Sequence, residues 1–313
     1  MANLPVKIID SFPDPYAAKY DERLWYSQHD QSVVILNCRA RNIYYPRHWT
    51  PLSVKCAFDG TELYHFEKNA FCVSDNNFLI LNEGSEYCSS IRSETPTRSF
   101  TINFTVQNIK EVWSGIALDP SHQLDDPFKQ YDGTPRFVEK LYPHEGHFSH
   151  RLLLIKHLIQ KKEIDQSCLV ELIYLVLGDM IILYNRTSAE IDRLKAKKRI
   201  TREELYKRLH RAKDYLDSCY QEPITLQTLA EISLMNSFYL LREFTGAFTV
   251  TPHQYLIQRR LKQAKHLLRT TELRVDEITE QVGLRDSSSF SKSFKKVYGH
   301  APAVFRKRMD RDL

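Results

Sequence analysis

Between residues 30 and 106, short runs of apolar and β-branched residues alternate with polar ones at period two. SVVILN (32–37), PLSVKCAF (51–58), TELYHF (61–66), NNFLILN (76–82) and TRSFTINFTV (97–106) read as strands. Asp59-Gly60, Asn76-Asn77 and Glu83-Gly84 punctuate them. Several short strands at close spacing predict a β-sandwich or small barrel. Residues 107–147, with Pro120, Pro127, Pro135 and Pro143, read as loops. The period then becomes helical. HFSHRLLLIKHLIQKKE (147–163) predicts one helix, and SCLVELIYLVLGDMIILYNR (167–186) a second. The second is apolar nearly all round, as in a helix buried in a core or in a dimer seam. The charge-dense TSAEIDRLKAKKRI (187–200) reads as a linker, and Thr201-Arg-Glu-Glu204 as a capping box opening the next helix.

From residue 201 onward every segment predicts helix, and one pattern occurs twice. When MNSFYLLREFTGAFTVTPHQYL (235–256) is shifted by fifty residues, Leu240 falls on Phe290 and Phe244 on Phe294. Pro252 falls on Pro302, and Tyr255 on Phe305. Each copy has two apolar anchors four apart, a turn, and a Pro that suits the first turn of a helix, with Thr251 as an N-cap before Pro252. A short helix precedes each copy: TLQTLAEI (225–232), capped by Thr225, and VDEITEQV (275–282), closed by Gly283. A short helix, a tight turn and a second helix with a polar outer face is a helix-turn-helix. With Leu240 and Phe244 inward, residues 238, 241, 242 and 245 face out. With Phe290, Phe294 and Val297 inward, residues 287, 288, 291, 292 and 295 face out. One of Ser287, Ser288 and Ser289 is expected to cap the second of these helices. PHQYLIQRRLKQAKHLLRT (252–270) joins the copies through an apolar stripe, with Arg259, Arg260, Lys262, Lys265 and Arg269 on its other sides.

Charge sharpens this picture. The net charge is +5, but residues 1–200 hold 24 Lys and Arg against 25 Asp and Glu, whereas residues 201–313 hold 20 against 14. A basic helical domain beside a neutral β domain predicts a polyanion partner for the former only. Arg242 suits a bidentate contact to guanine, Phe238 and Leu241 suit thymine methyls, and Ser287, Ser288 and Ser289 suit bases or phosphates. Lys292, Lys295 and Lys296 suit phosphates, as do Arg306 and Lys307. A phosphate contact, or an internal ion pair with Glu231 or Glu243, is the alternative for Arg242. The six cysteines, Cys38, Cys56, Cys72, Cys88, Cys168 and Cys219, form no C-x-x-C pair and read as buried thiols of a reducing compartment. The start of the chain lacks the pattern of a signal peptide, and Glu171 and Asp179 interrupt the most apolar run. A soluble cytoplasmic protein is expected, without a membrane partner.

Residues 203–308 resemble the DNA-binding domain of the AraC/XylS transcriptional regulators. The resemblance is carried by Leu229-Ala230, Leu240, Arg242, Phe244 and Pro252-His253-Gln254-Tyr255 in the first half. In the second half it is carried by Arg260-Leu261, Ala264, Leu267-Leu268, Ile278, Gly283, Ser289-Phe290-Ser291, Phe294-Lys295-Lys296, Gly299, Pro302 and Arg306. The resemblance implies an α+β two-domain chain. A cupin-like β-barrel or sandwich (1–146) would precede a helical dimerisation or packing region (147–186), the linker (187–200) and a seven-helix domain with two helix-turn-helix units (201–313). It implies recognition positions at Phe238, Leu241 and Arg242, and at Ser287, Ser288, Ser289 and Lys292. The partners it implies are double-stranded promoter DNA, a small-molecule effector, a second copy of the chain and RNA polymerase. The sequence departs from the family where Thr245-Gly246 replaces a basic pair, where Thr249 replaces Gly, and at Thr279 and Leu284. The second motif is therefore expected to supply more of the electrostatic binding. His48, and His65 with Glu67, lack the spacing of the family's metal-binding members, so neither metal nor cofactor is expected. No catalytic constellation stands out. The competing readings are a metal-dependent cupin-type enzyme with a helix-turn-helix targeting domain and an enzyme carried to DNA for repair. The aromatics Trp25, Tyr44, Tyr45, Trp49, Tyr64, Phe66 and Tyr87 are core or effector-pocket candidates.

Overall fold

The structure is a computed structural model; it describes residues 4–14, 16, 32–67, 70–117 and 135–309. Trp25 lies outside them. The chain divides into two units, Met1–Ala189 and Glu190–Leu313.

The N-terminal unit is a barrel, antiparallel but for β1, which pairs with β2 in parallel, with helices on one face. Its strands are β1 (Val6–Ile9), β2 (Val33–Thr50), β3 (Ser53–Phe58), β4 (Thr61–His65), β5 (Ala70–Ser74), β6 (Asn77–Leu81), β7 (Ser85–Asn103) and β8 (Leu141–Pro143). The order β1-β2-β7-β3-β6-β5-β4 closes because β4 returns to pair with β7 through Leu63–His65. Strands β2 and β7 are far longer than the runs 32–37 and 97–106 predict. They pair along most of their length, with register shifts between Ala40 and Asn42 and between Tyr45 and His48. Pro46 sits in the second shift, where a missing amide donor costs no ladder bond.

Period-two alternation sorts the strands into two cores. Val54, Cys56, Phe58, Ile80, Phe100 and Ile102 point outward and pack under helices α2 (Gly146–Lys161) and α3 (Gln166–Asp192). Ala57, Tyr64, Phe71, Val73, Leu79, Leu81 and Tyr87 point the other way and fill the barrel. Helix α1 (Val106–Ala117) occupies a stretch expected to be loop. Thr105 accepts the Asn108 amide at its start, and Ile109 and Val112 pack into the outer core. Helix α3 is long and apolar enough to cross a membrane by length and composition alone. One of its faces is spent on the barrel, with Leu169, Ile173, Val176, Leu177 and Met180 in the outer core, whereas Leu175 and Ile182 are exposed. The thiols are less uniform than expected: Cys38 and Cys56 are buried, but Cys168, in the first turn of α3, is exposed.

Among the described residues the C-terminal unit holds seven helices. They are α4 (Arg199–Ser218), α5 (Leu226–Ser233), α6 (Ser237–Phe248), α7 (Pro252–Thr270), α8 (Val275–Gln281), α9 (Ser287–Tyr298) and α10 (Pro302–Met309). The stretch 187–200 is only partly a linker, because α3 runs on to Asp192 and α4 opens at Arg199. Thr201 is therefore inside a helix and caps nothing. Arg202 instead donates to the Ala196 and Lys197 carbonyls and to Asp192, which holds the intervening loop against α4.

Candidate nucleic-acid interface

Helices α5 and α6 form the first helix-turn-helix, and α8 and α9 the second. Thr225 caps α5 by accepting the Thr228 amide at 3.0 Å. Asn236 caps α6, accepting from Phe238 and Tyr239. Fifty residues later Asp286 caps α9, accepting from the Ser288 and Ser289 amides at 3.1 and 3.0 Å. The cap expected among Ser287–Ser289 is thus the acid just before them, and the three hydroxyls are left exposed. Hydrogen bonds from Ser289 and from the Ser288 amide hold the Asp286 carboxyl below its ordinary range. The shift of fifty persists past both helices, since Thr249 and Gly299 each end theirs in the left-handed conformation, at φ 61° and 81°. It breaks only in the turns. Leu234 (φ 53°) lies two residues before its cap and Gly283 (φ 80°) three before, so the second turn is one residue longer.

The anchors behave as their spacing predicts. Leu240, Phe244, Phe290 and Phe294 are at most 1% exposed, and burying each contributes ~1.5–3 kcal/mol. Val297 does not join them; it is exposed, and Tyr298 takes the last inward position, 4.6 Å from the ring of Phe294. Below the motifs, α7 carries the joint. Thr251 and Gln254 form a complete capping box at its start. Tyr255 donates to Asp217 of α4 at 2.9 Å, and Lys213 pairs with the same carboxylate at 3.2 Å. Arg260 is buried rather than solvated and donates to the Tyr220 and Glu222 carbonyls at 2.7 and 2.8 Å. Arg306 likewise donates to the Leu273 carbonyl at 2.6 Å. Both arginines tie loops to helices, and Arg306, expected at a phosphate, spends its fork on backbone carbonyls.

Most of the residues expected to meet DNA remain outward. On α6, Phe238 is 85% exposed, Leu241 36%, and the Arg242 side chain 67%. Arg242 pairs with Glu243, at 2.9 Å from Nε and 2.7 Å from Nη2 to one oxygen, and lies 5.0 Å over the Tyr239 ring. Glu231 takes the Gln227 amide instead. On α9, Ser287, Ser288, Ser289, Lys292, Lys295 and Lys296 are all exposed. The basic residues of α6 and α9 are therefore one and three in number; the one on α6 is paired with Glu243, and on α9 the charge of Lys292 acts on the Asp286 cap. The two helices present opposite chemistries: an apolar and arginine surface, and a hydroxyl and ammonium surface.

A helix-turn-helix domain model matches residues 229–308, both motifs but for the start of α5. A regulator from Escherichia coli, the uncharacterized HTH-type transcriptional regulator YdiP, is 36% identical over 94 residues, 30% of this chain and 31% of that one. The Msm operon regulatory protein of Streptococcus mutans is 30% identical over 101 residues, 32% of this chain and 36% of that one. Residues 229–308 are an AraC-type helix-turn-helix domain. The chain spans about a third of the length of the curated relatives it matches. The crystal structure of the AdpA DNA-binding domain in complex with a target DNA is 28% identical at a TM-score of 0.31, covering 32% of this chain and 90% of that one.

In the N-terminal unit the structure does not assemble the residues considered for a metal. His48 packs edge-on against Tyr45 and tilted against Tyr87, with Nδ1 2.8 Å from the Pro46 carbonyl, His65 is exposed, and Glu67 accepts from Arg47. Of the aromatics, Tyr45, Tyr64 and Tyr87 are buried and Tyr44 is exposed. Sequence reasoning missed the polar residues of the barrel interior. Lys55, Glu62, Ser89, Ser99, Thr101 and Asn103 are buried on the strand faces that turn away from α2 and α3. Burial pushes the Glu62 carboxyl up, against hydrogen bonds from Ser99, Tyr64 and Ser89. One oxygen of Glu62 and both polar atoms of the Asn103 amide make no hydrogen bond. The signal for these residues was the period-two placement of polar residues opposite Phe100, Ile102 and Phe104.

Proposed function

We propose that this chain is a sequence-specific transcription regulator of the cytoplasm that inserts α6 and α9 into adjacent major-groove segments of promoter DNA. The observation that carries the reading is the repeat of a capped, anchored helix. It presents Phe238, Leu241 and Arg242 on one copy and Ser287, Ser288, Ser289, Lys292, Lys295 and Lys296 on the other. At ~1.5 Å rise per residue, α7 spans roughly 28 Å, a length suited to holding two readers in groove segments that recur every ~34 Å. The single cation of α6 and the three of α9 support a split in which the second motif contributes more of the phosphate binding. Removing Lys292, Lys295 and Lys296 together should weaken binding to every duplex and lower the slope of log affinity against log salt by about 3. An unchanged slope would remove α9 from the interface.

The N-terminal unit is read as a cupin-like effector domain. A barrel with unsatisfied buried polar atoms at Glu62 and Asn103 supports a polar small-molecule effector, since such groups cost ~1–3 kcal/mol each without a partner. Replacing Asn103 by Leu should leave DNA binding intact and abolish its response to the effector. Loss of DNA binding without effector would count against this role. The exposed Leu175 and Ile182 of α3 support a second copy of the chain as a partner, which sedimentation of an Ile182→Glu variant would test. No observation favours the enzyme readings over the regulator.

A further inference from the structure

We propose that Glu243 sets Arg242 for base reading, so that the first motif supplies most of the sequence discrimination and the second most of the affinity. The inference deepens the DNA-reading assignment and rests on it. Arg242 offers Nε and Nη2 to the same Glu243 oxygen, at 2.9 and 2.7 Å. That bond fixes one edge of the planar guanidinium and turns the other edge, with Nη1 and the second Nη2 hydrogen, outward. The outward edge is the fork that bridges O6 and N7 of guanine. The anchor is inside and the tip outside, since the Glu243 side chain is 7% exposed and that of Arg242 67%. The Tyr239 ring, 5.0 Å from the guanidinium carbon, covers one face of the plane. Fifty residues on, the same three positions are Ser289, Lys292 and Ser293. The second motif thus has an ammonium with a serine where Arg242 has Glu243 and another where it has Tyr239, and its charge acts on the Asp286 cap instead. An arginine held in its bound geometry loses less freedom on contact than a free one, and a lysine reads as a point charge.

Glu243 is a positioning residue, and the alternative is that Arg242 only neutralises a buried acid. The full chain should be titrated by fluorescence anisotropy against its selected duplex and a panel with each base pair of both boxes replaced in turn. Arg242→Ala should lose about ten-fold discrimination at one G·C pair of the first box. Glu243→Leu, which fills the same space without an acceptor, and Glu243→Asp, which keeps the charge but shortens the reach, should lose discrimination at that same pair. Glu243→Gln, which keeps the acceptor, should retain most of it. Discrimination in the second box should be unchanged in all four, which also shows that each variant is folded. If Glu243→Leu and Glu243→Gln both bind every duplex more tightly with discrimination intact, the acid is a mask and the proposal fails while the reading stands. The same holds if Arg242→Ala relaxes a pair that Glu243→Leu and Glu243→Asp leave alone. If Arg242→Ala relaxes no pair, Arg242 reads nothing and both ideas fall.

Discussion

Replacing Gly283 by Ala tests the turn of the second motif, and two neighbouring positions supply its controls. Gly283 sits at φ +80°, and a Cβ there would lie 2.7 Å from the carbonyl carbon of Gln221 and 2.9 Å from its Cα. Its left-handed backbone costs a non-glycine residue about 1–2 kcal/mol. Displacing the backbone of residue 221 adds about 1–3 kcal/mol of overpacking, so the total should be roughly 2–5 kcal/mol. Gly299 has almost the same φ, +81°, with nothing within 4 Å of a new Cβ. Gly299→Ala should therefore cost only the backbone part, about 1–2 kcal/mol. Thr249 occupies the matching place in the first motif at φ 61°, and Thr249→Gly should be neutral or gain up to about 1 kcal/mol. The measurement is urea unfolding of the full chain. Its three tryptophans, Trp25, Trp49 and Trp113, all fall in the N-terminal unit, so fluorescence follows that unit. Far-ultraviolet circular dichroism adds the helices of the C-terminal unit. A Gly283→Ala chain no less stable than Gly299→Ala would refute the close approach of residue 221.

Other outcomes follow from the same contacts. Thr245→Lys with Gly246→Lys should tighten binding to all duplexes and steepen the salt slope by up to 2, because Gly246 is exposed with nothing within 4 Å of a new Cβ; a salt titration checks it. Arg260→Met should destabilise the C-terminal unit by about 1–3 kcal/mol through two orphaned carbonyls, read by thermal melting, with the salt slope of binding unchanged. Burial, and then the charge of Lys156, lowers the His144 pKa to about 4; burial, opposed by its bond to the Pro46 carbonyl, does the same for His48. Below their ordinary value near 6.5 the unfolded chain binds protons that the folded chain refuses. Stability is therefore full above pH 6.5 and falls as pH drops toward 4, by up to about 3 kcal/mol per histidine. His144→Asn should flatten part of that fall in the fluorescence transition.

The C-terminal unit was readable because its signals are local. Anchors four apart, Thr225, Thr251, Gly283 and the two prolines each act within one turn of helix, and the shift of fifty sets one motif against the other. The errors there came from polar groups that could do two things. Asp286 outcompeted the serines as a cap because a carboxylate accepts two amides at once. Arg260 and Arg306 looked solvated, yet their forks reach backbone carbonyls about forty and thirty residues away, a separation no helical pattern reveals. In the barrel the misses are non-local. The runs 32–37 and 97–106 showed only one end each of β2 and β7, which pass through Pro46 and Pro96, and only partner strands across a bulge reveal the rest. The polar interior around Lys55, Glu62 and Asn103 is visible once Phe100, Ile102 and Phe104 are assigned to the opposite face. Helix α1 was hidden by prolines that all lie beyond its end, although Thr105 and Asn108 marked its start.

Selection of random duplex DNA by the full chain tests the central claim most directly. Two conserved boxes about ten base pairs apart, one carrying a G·C pair that Arg242→Ala relaxes, are the result this account predicts, with steep loss of affinity in salt. Failure to enrich any sequence, with affinity indifferent to salt, would contradict it.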